Sequence, residues 1–392
     1  TLPATRPSAP AGALARYLVA AMLSIALVAF VGGASLAQDP PTTPAPATND
    51  NAPAPGPSTS NAPAERSKPG SDPIIRSRPK HINAATEQAI QDGLRALALM
   101  QGGDGAWRSE GATGGYPCTM TGIAGLALLA GGHSPTRGEY APQLRRAIRF
   151  LLKSVDHDGV ISADGEGRSM YGHGFGTLFL AEVYGMSGDA ATTKEIGTVL
   201  AKAVQLIGQS QSKAGGWYYS PGSGEDEGSV TVTQLQALRA CKNAGIVVPD
   251  SVFKRAIEYL GKCQMRDGGI SYRLGMTGSR PPITAAAVAT IFYAGKYDDP
   301  VATKALAYCR RYMGPDWNQG HYWYTHFYLA QAYYQASAQD WDKYFPSMRD
   351  QIVGSQLPGG RWPNRDVGSL FSSAVALIIL QLPYQNLPVY QR

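Results

Sequence analysis

From Ile82 onward the chain alternates two kinds of apolar segment. The first kind sets charges between apolar residues at helical spacing, as in Ala147-Ile148-Arg149-Phe150-Leu151-Leu152 and Ala256-Ile257-Glu258-Tyr259-Leu260. Such spacing predicts helices with one wet face. The second kind is apolar or small nearly all the way round, as in Gly122 to Ala130 and Thr284 to Phe292. A helix with no polar face is buried on every side. Segments of this second kind are predicted at Thr119 to Ala130, Phe175 to Tyr184, Val230 to Ala244, Ile283 to Ala294, Tyr324 to Gln335 and Ser369 to Leu380. No alternating runs joined by hairpin dipeptides occur, so strands are not expected.

Between the two kinds of helix lies a recurring glycine-rich loop. Gln101 is followed by Gly105 and Trp107, Gln211 by Gly215 and Trp217, and Gln356 by Gly360 and Trp362. Gln264 leads in the same way to Gly268, with Ile270 in place of tryptophan. Weaker copies begin at Val155 and Met313, which makes six anchors in all. An internal period of this length is the mark of a repeat architecture. One amphipathic and one buried helix per repeat predict an outer ring of helices around an inner ring. The expected fold is therefore all-α, an (α/α)6 toroid of about twelve helices spanning 81–392.

The Gln–Gly–Trp unit resembles the Q-W repeat of squalene and oxidosqualene cyclases and is similar to the repeats of protein prenyltransferase β-subunits. The resemblance covers essentially all of the chain after Ile82. It implies that Gln101, Gln211, Gln264 and Gln356 tie loops to helix ends, where they satisfy orphaned backbone groups. It also implies that Trp107, Trp217 and Trp362 pack structurally between outer helices. The chemistry of those families is not carried over. The D-x-D-D acid of class II cyclases is missing, as are the Asp-x-Cys zinc ligand of the prenyltransferases and the Cys-Gly-Glu-Gln of thioester domains. No metal and no cofactor are expected.

Ahead of the repeats, residues 1–37 read as a signal peptide or an uncleaved membrane anchor. Arg6 and Arg16 precede an uncharged apolar run from Tyr17 to Val31, and Ser35-Leu36-Ala37 suits cleavage. Residues 38–80 are rich in Pro, Ala, Ser and Thr and predict a disordered linker. The expected location is thus extracytoplasmic, either free or anchored facing outward. A net charge of +6 over 392 residues, without a basic cluster, gives no reason to expect nucleic-acid binding. Cys118, Cys241, Cys263 and Cys309 form no C-x-x-C pair, and burial as small apolar residues is favoured over pairing.

Candidate chemistry lies where the inner helices begin. His173 and His326 are the side chains suited to proton transfer near neutral pH. The competing reading of each is a hydrogen bond to nearby backbone. Asp226 and Glu227 adjoin Glu225, and crowding of this kind raises a carboxyl pKa when buried. A solvated loop is the alternative. Tyr171, Thr231, Gln234, Tyr322, Tyr324 and Phe327 are candidate ligand contacts, and aromatic residues fill cores just as readily. The expected function is an exported toroid that binds an apolar, isoprenoid or lipid-like ligand in a central cavity, with catalysis left open. Two alternatives remain. One is an interaction module for a protein partner at the cell envelope. The other is a carbohydrate-active enzyme drawing carboxyls from Asp158, Asp164, Glu166, Asp226 and Glu227.

Overall fold

In the computed structural model the described residues are 78–110, 115–364 and 366–391, all within the unit Ile75–Arg392. The expected export segment and nearly all of the expected linker lie outside them. Twelve α-helices alternate between outer and inner rings. The outer helices are α1 (Ala84–Leu99), α3 (Ala141–Lys153), α5 (Ala190–Ser210), α7 (Asp250–Lys262), α9 (Pro300–Tyr312) and α11 (Ala338–Gly354). The inner helices are α2 (Pro117–Ala130), α4 (Ser169–Val183), α6 (Gly228–Asn243), α8 (Pro281–Tyr293), α10 (Tyr322–Ala336) and α12 (Ser369–Gln381). Each inner helix packs on the next, and α12 returns to α2, which closes the ring. Most inner helices start a few residues before their apolar run. Pro117 and Pro281 in the first turns of α2 and α8 account for two of these starts, because their lost N–H would be unpaired there anyway.

The repeat motif is a hydrogen-bond device. Gln211 donates through Nε2 to the Gly215 carbonyl at 2.7 Å and to Val252 of the next outer helix at 3.0 Å. Gln101 does the same toward Gly105 and Gln143, and Gln264 toward Gly268 and Val301. In the last repeat Gln356 bonds Gly360 and then Ala89 of α1, so the same clip joins the two ends of the ring. The indole N–H of Trp107, Trp217 and Trp362 donates to the carbonyl ten residues back, at 2.7 Å in every copy. All three tryptophans are fully buried. The loop glycine is obligatory at two positions in particular. Gly215 has φ +111°, and a Cβ there would lie 2.3 Å from the Arg255 carbonyl oxygen. Gly360 has φ +83°, with the Asp92 carbonyl oxygen equally close.

The core runs continuously through both rings. No strand forms among the described residues, and bridges such as Gln264↔Ile270 only pin the loops. No described helix is long and apolar enough to cross a membrane. All four cysteines are buried and unbridged.

Candidate functional site

The inner helices all start at one end of the ring, where their connecting loops form a mouth. A side chain near the start of most inner helices holds the preceding loop. Thr121, Thr231, Thr284 and Ser373 each accept a loop backbone N–H, from Trp107, Trp217, Ile270 and Trp362, at 2.8–3.0 Å. His173 fills this role in the second repeat, where Nδ1 accepts the Ile161 N–H at 3.1 Å. Its Nε2 therefore carries the proton and faces the Ala203 carbonyl without an aligned bond. His326 serves the fifth repeat, bonding the Trp317 carbonyl through Nε2 and the Tyr344 hydroxyl through Nδ1, both at 2.8 Å. Both imidazoles are fully buried, and burial lowers each pKa to about 4. The two lie in different repeats, and His326 reaches the next outer helix through Tyr344.

The carboxylates are used similarly. Glu227 is fully buried and caps α6, accepting the Ser229 and Val230 backbone N–H groups. Burial raises its pKa, and these hydrogen bonds oppose the shift. Glu166 accepts from Thr119 N in the first turn of α2 and from Ala163 N. Asp226 is half-buried and holds Ser212 Oγ at 3.0 Å. Asp158 and Asp164 are exposed.

Of the expected ligand contacts, the structure brings Tyr171 and Tyr324 together at the mouth and spreads the rest. Thr231 is spent on Trp217 and on the Glu227 carbonyl. Gln234 donates to Met170 O at 2.8 Å inside the ring wall. Tyr322 packs on His326, with ring centroids 4.5 Å apart. Phe327 lies deep, beside Tyr328 and Tyr390.

What sequence reasoning missed is the company Tyr171 and Tyr324 keep. Arg168 and Tyr116 from loops before α4 and α2, Tyr219 from the loop before α6, and Tyr272 from the loop before α8 are all half-buried there. The Arg168 guanidinium sits 4.5 Å from the centre of the Tyr219 ring. Tyr171 and Tyr219 have ring centroids 5.9 Å apart. Burial pushes the hydroxyl pKa of Tyr219 up to about 12 and raises those of Tyr171, Tyr272 and Tyr324, so these phenols stay neutral.

A hydrogen-bond chain runs from Glu227 to this surface. Ser229 Oγ donates to the Glu227 carboxyl at 2.7 Å and meets the Tyr171 hydroxyl at 2.5 Å. Ser229 has one proton and gives it to Glu227, so Tyr171 must donate to Ser229. The Tyr272 hydroxyl lies near Glu227 and meets the Tyr219 hydroxyl. Tyr171 thereby keeps its oxygen lone pairs for the mouth, with the Tyr219–Tyr272 hydroxyl pair and the charged Arg168 beside it.

Below the mouth, Gln236 of α6 donates to Gln331 of α10 at 3.0 Å, and Tyr293 of α8 donates to the same amide oxygen at 2.5 Å. Tyr328 of α10 lies against Thr233 of α6 and Tyr324. These residues, from three successive inner helices, make a polar floor on one side of the interior. On the other face of the ring an open groove of about 570 Å³ is lined by Arg239, Lys242, Lys254 and Lys296, with Asp250 bonded to Lys242 at 2.8 Å. Among the described residues no group of three His, Cys, Asp or Glu side chains could hold a metal ion.

The fold is an (α/α)6 toroid whose inner-helix loops gather at one end. Among solved structures it is similar to the type II terpene cyclase MstE from Scytonema, at 14% identity and a TM-score of 0.55 over 78% of this chain and 100% of that one. It is also similar to the GH76A α-1,6-mannanase from Salegentibacter sp. HEL1_6, at 8% identity and a TM-score of 0.57 over 77% and 99% of the two chains. A protein from Actinoplanes aligns at 17% identity and a TM-score of 0.53 over 76% and 99%. No protein-family model and no curated protein matches the sequence. The likeness is one of fold.

Proposed function

We propose that this protein is an exported binding toroid that takes a hydroxyl-rich ligand, a glycan, at its tyrosine-lined mouth. The observation that carries the reading is the oriented chain from Glu227 through Ser229 to Tyr171. It leaves the Tyr171 oxygen an acceptor for ligand hydroxyls, while the tyrosine rings offer flat surfaces to pack against. Arg168 supplies donors on the same surface. Binding is favoured over turnover because Glu166 and Glu227 are committed as helix caps, and a glycosidase needs two carboxyls facing across the scissile bond. Export rests on the character of residues 1–37. The mannanase neighbour, one variant of which is described in complex with α-1,6-mannotriose, lends the ligand class some support.

A second reading has a specific basis. The terpene cyclase neighbour has been seen with geranylgeranyl dihydroxybenzoate, and an apolar, isoprenoid or lipid-like ligand here would require the polar floor to move. Calorimetric titration of the full chain with α-1,6-mannotriose, other soluble oligosaccharides and geranylgeranyl dihydroxybenzoate separates the two. The glycan reading expects an oligosaccharide to bind, with affinity falling at least about tenfold in Tyr219→Ala and in Arg168→Gln, roughly 1.4 kcal/mol. Binding of the isoprenoid alone, or oligosaccharide binding indifferent to both substitutions, would overturn it.

A further inference from the structure

The end of the ring opposite the mouth is closed by the segment that follows α12. Two short 3-10 turns, Leu382–Tyr384 and Pro388–Tyr390, flank Gln385, which is held at φ +54°. A side chain in that left-handed region is under strain. The segment ties three inner helices. Gln385 Nε2 donates to the Tyr334 hydroxyl of α10 and Asn386 Nδ2 to the Ala130 carbonyl of α2, both at 2.8 Å. The Val389 N–H faces the Glu182 carboxyl of α4. Val389 and Tyr390 are buried, and the Tyr390 ring lies between Tyr293 and Phe327, with centroids at 5.8 and 6.5 Å.

We propose that residues 382–391 form a releasable plug, held while Glu182 is a neutral acid and freed when it ionises. Release would open the far end of the ring onto the polar wall of Gln236, Gln331 and Gln335. The packing is incomplete in a way an apolar plug would not be. Glu182 Oε2 and the Tyr390 hydroxyl are both buried without a partner. An ionised carboxylate in such a place is costly unless a cation meets it. The ionisable neighbour on the plug is Tyr390, with the phenols of Tyr293 and Tyr328 beyond it. Of the elements packed on α4, α2 carries only Cys118, α5 carries Lys194, Glu195 and Lys202, and α6 carries Arg239, Cys241 and Lys242. None of these shifts Glu182. Burial alone raises its pKa, to about 7, with the Val389 N–H opposing.

The sign follows from linkage. A freed plug returns Glu182 toward its ordinary value of 4.5, so the closed form holds the extra proton between about pH 4.5 and 7. Closure is firmest below that window, weakens through it and is weakest above it, by roughly 300-fold in the closed-to-open ratio.

Hydrogen exchange of the full chain at pH 5 and pH 8, corrected for intrinsic exchange chemistry and referenced to α8, tests this. Protection of 386–391 should fall by roughly 70-fold at pH 8 while α8 is unchanged, and Glu182→Gln should abolish the difference. Should that variant not fold, Val389→Pro removes the N–H that faces Glu182 and should leave the segment equally unprotected at both values. Equal protection of the wild-type segment at both pH values, or an undiminished pH effect in Glu182→Gln, would overturn the proposal. It stands or falls apart from the mouth, which lies at the other end of the ring.

Discussion

His173 and His326 show what position adds to residue type. The side chain most suited to proton transfer near neutral pH stands, in both cases, where other repeats use threonine or serine to hold a loop. Spacing could have revealed this, since His173 lies twelve residues after Ile161 much as Thr121 lies fourteen after Trp107. Their lowered pKa values set a direction. The unfolded chain takes up protons below about 6.5 while the folded chain refuses them until about 4, so each histidine costs stability as pH falls through that window. Each accounts for on the order of 3 kcal/mol across it. In urea melts between pH 7 and 4, His326→Gln should lose about 1–3 kcal/mol at pH 7 through the unpaired Trp317 carbonyl and Tyr344 hydroxyl. It should also show a shallower acid slope than the wild type. A parallel slope would assign the acid loss elsewhere. The cysteines give a second check at this scale. Buried and free, with thiol pKa values raised by desolvation, all four should resist a thiol reagent in native protein and react fully once it is unfolded.

At the scale of the element, the fold was legible because each repeat writes the same bonds. Glutamine, glycine and tryptophan at fixed offsets fix loop, neighbouring helix and helix end at once, and the apolar inner helices announce their own burial. Helix starts were less legible, since the first turn of α4, Ser169-Met170-Tyr171-Gly172, mixes a hydroxyl, an apolar residue, an aromatic and a glycine without an apolar period. The plug was not legible at all, because Leu382 to Gln391 has no helical pattern and is buried by what it meets. Gln356 carries the ring's seam, so Gln356→Leu should destabilise by about 2–4 kcal/mol through two unpaired carbonyls, much as Gln211→Leu does at an internal joint. Gly215→Ala forces a Cβ onto the Arg255 carbonyl at positive φ and should cost a similar amount, about 2–4 kcal/mol. Denaturant midpoints of the three variants decide both points. A harmless Gln356→Leu would mean that α12 against α2 closes the ring unaided.

For the whole molecule, the ring gathers what the sequence scatters. Tyr116, Arg168, Tyr171, Tyr219, Tyr272 and Tyr324 come from five repeats; Tyr219 and Tyr272 share one place, two residues after Trp217 and Ile270, and the others have no common spacing that marks them as neighbours. Only Tyr171 and Tyr324 were visible beforehand, because they sit at the starts of predicted inner helices. The floor formed by Gln236, Gln331 and Tyr293 likewise depends on three successive inner helices, α6, α8 and α10, coming together. The most direct test is a structure of the full chain with a bound oligosaccharide. The sugar should lie on Tyr171, Tyr219 and Arg168, above Tyr324, with the Gln236–Gln331 bond intact. A ligand ordered below that bond, or seated outside the ring, would contradict the account.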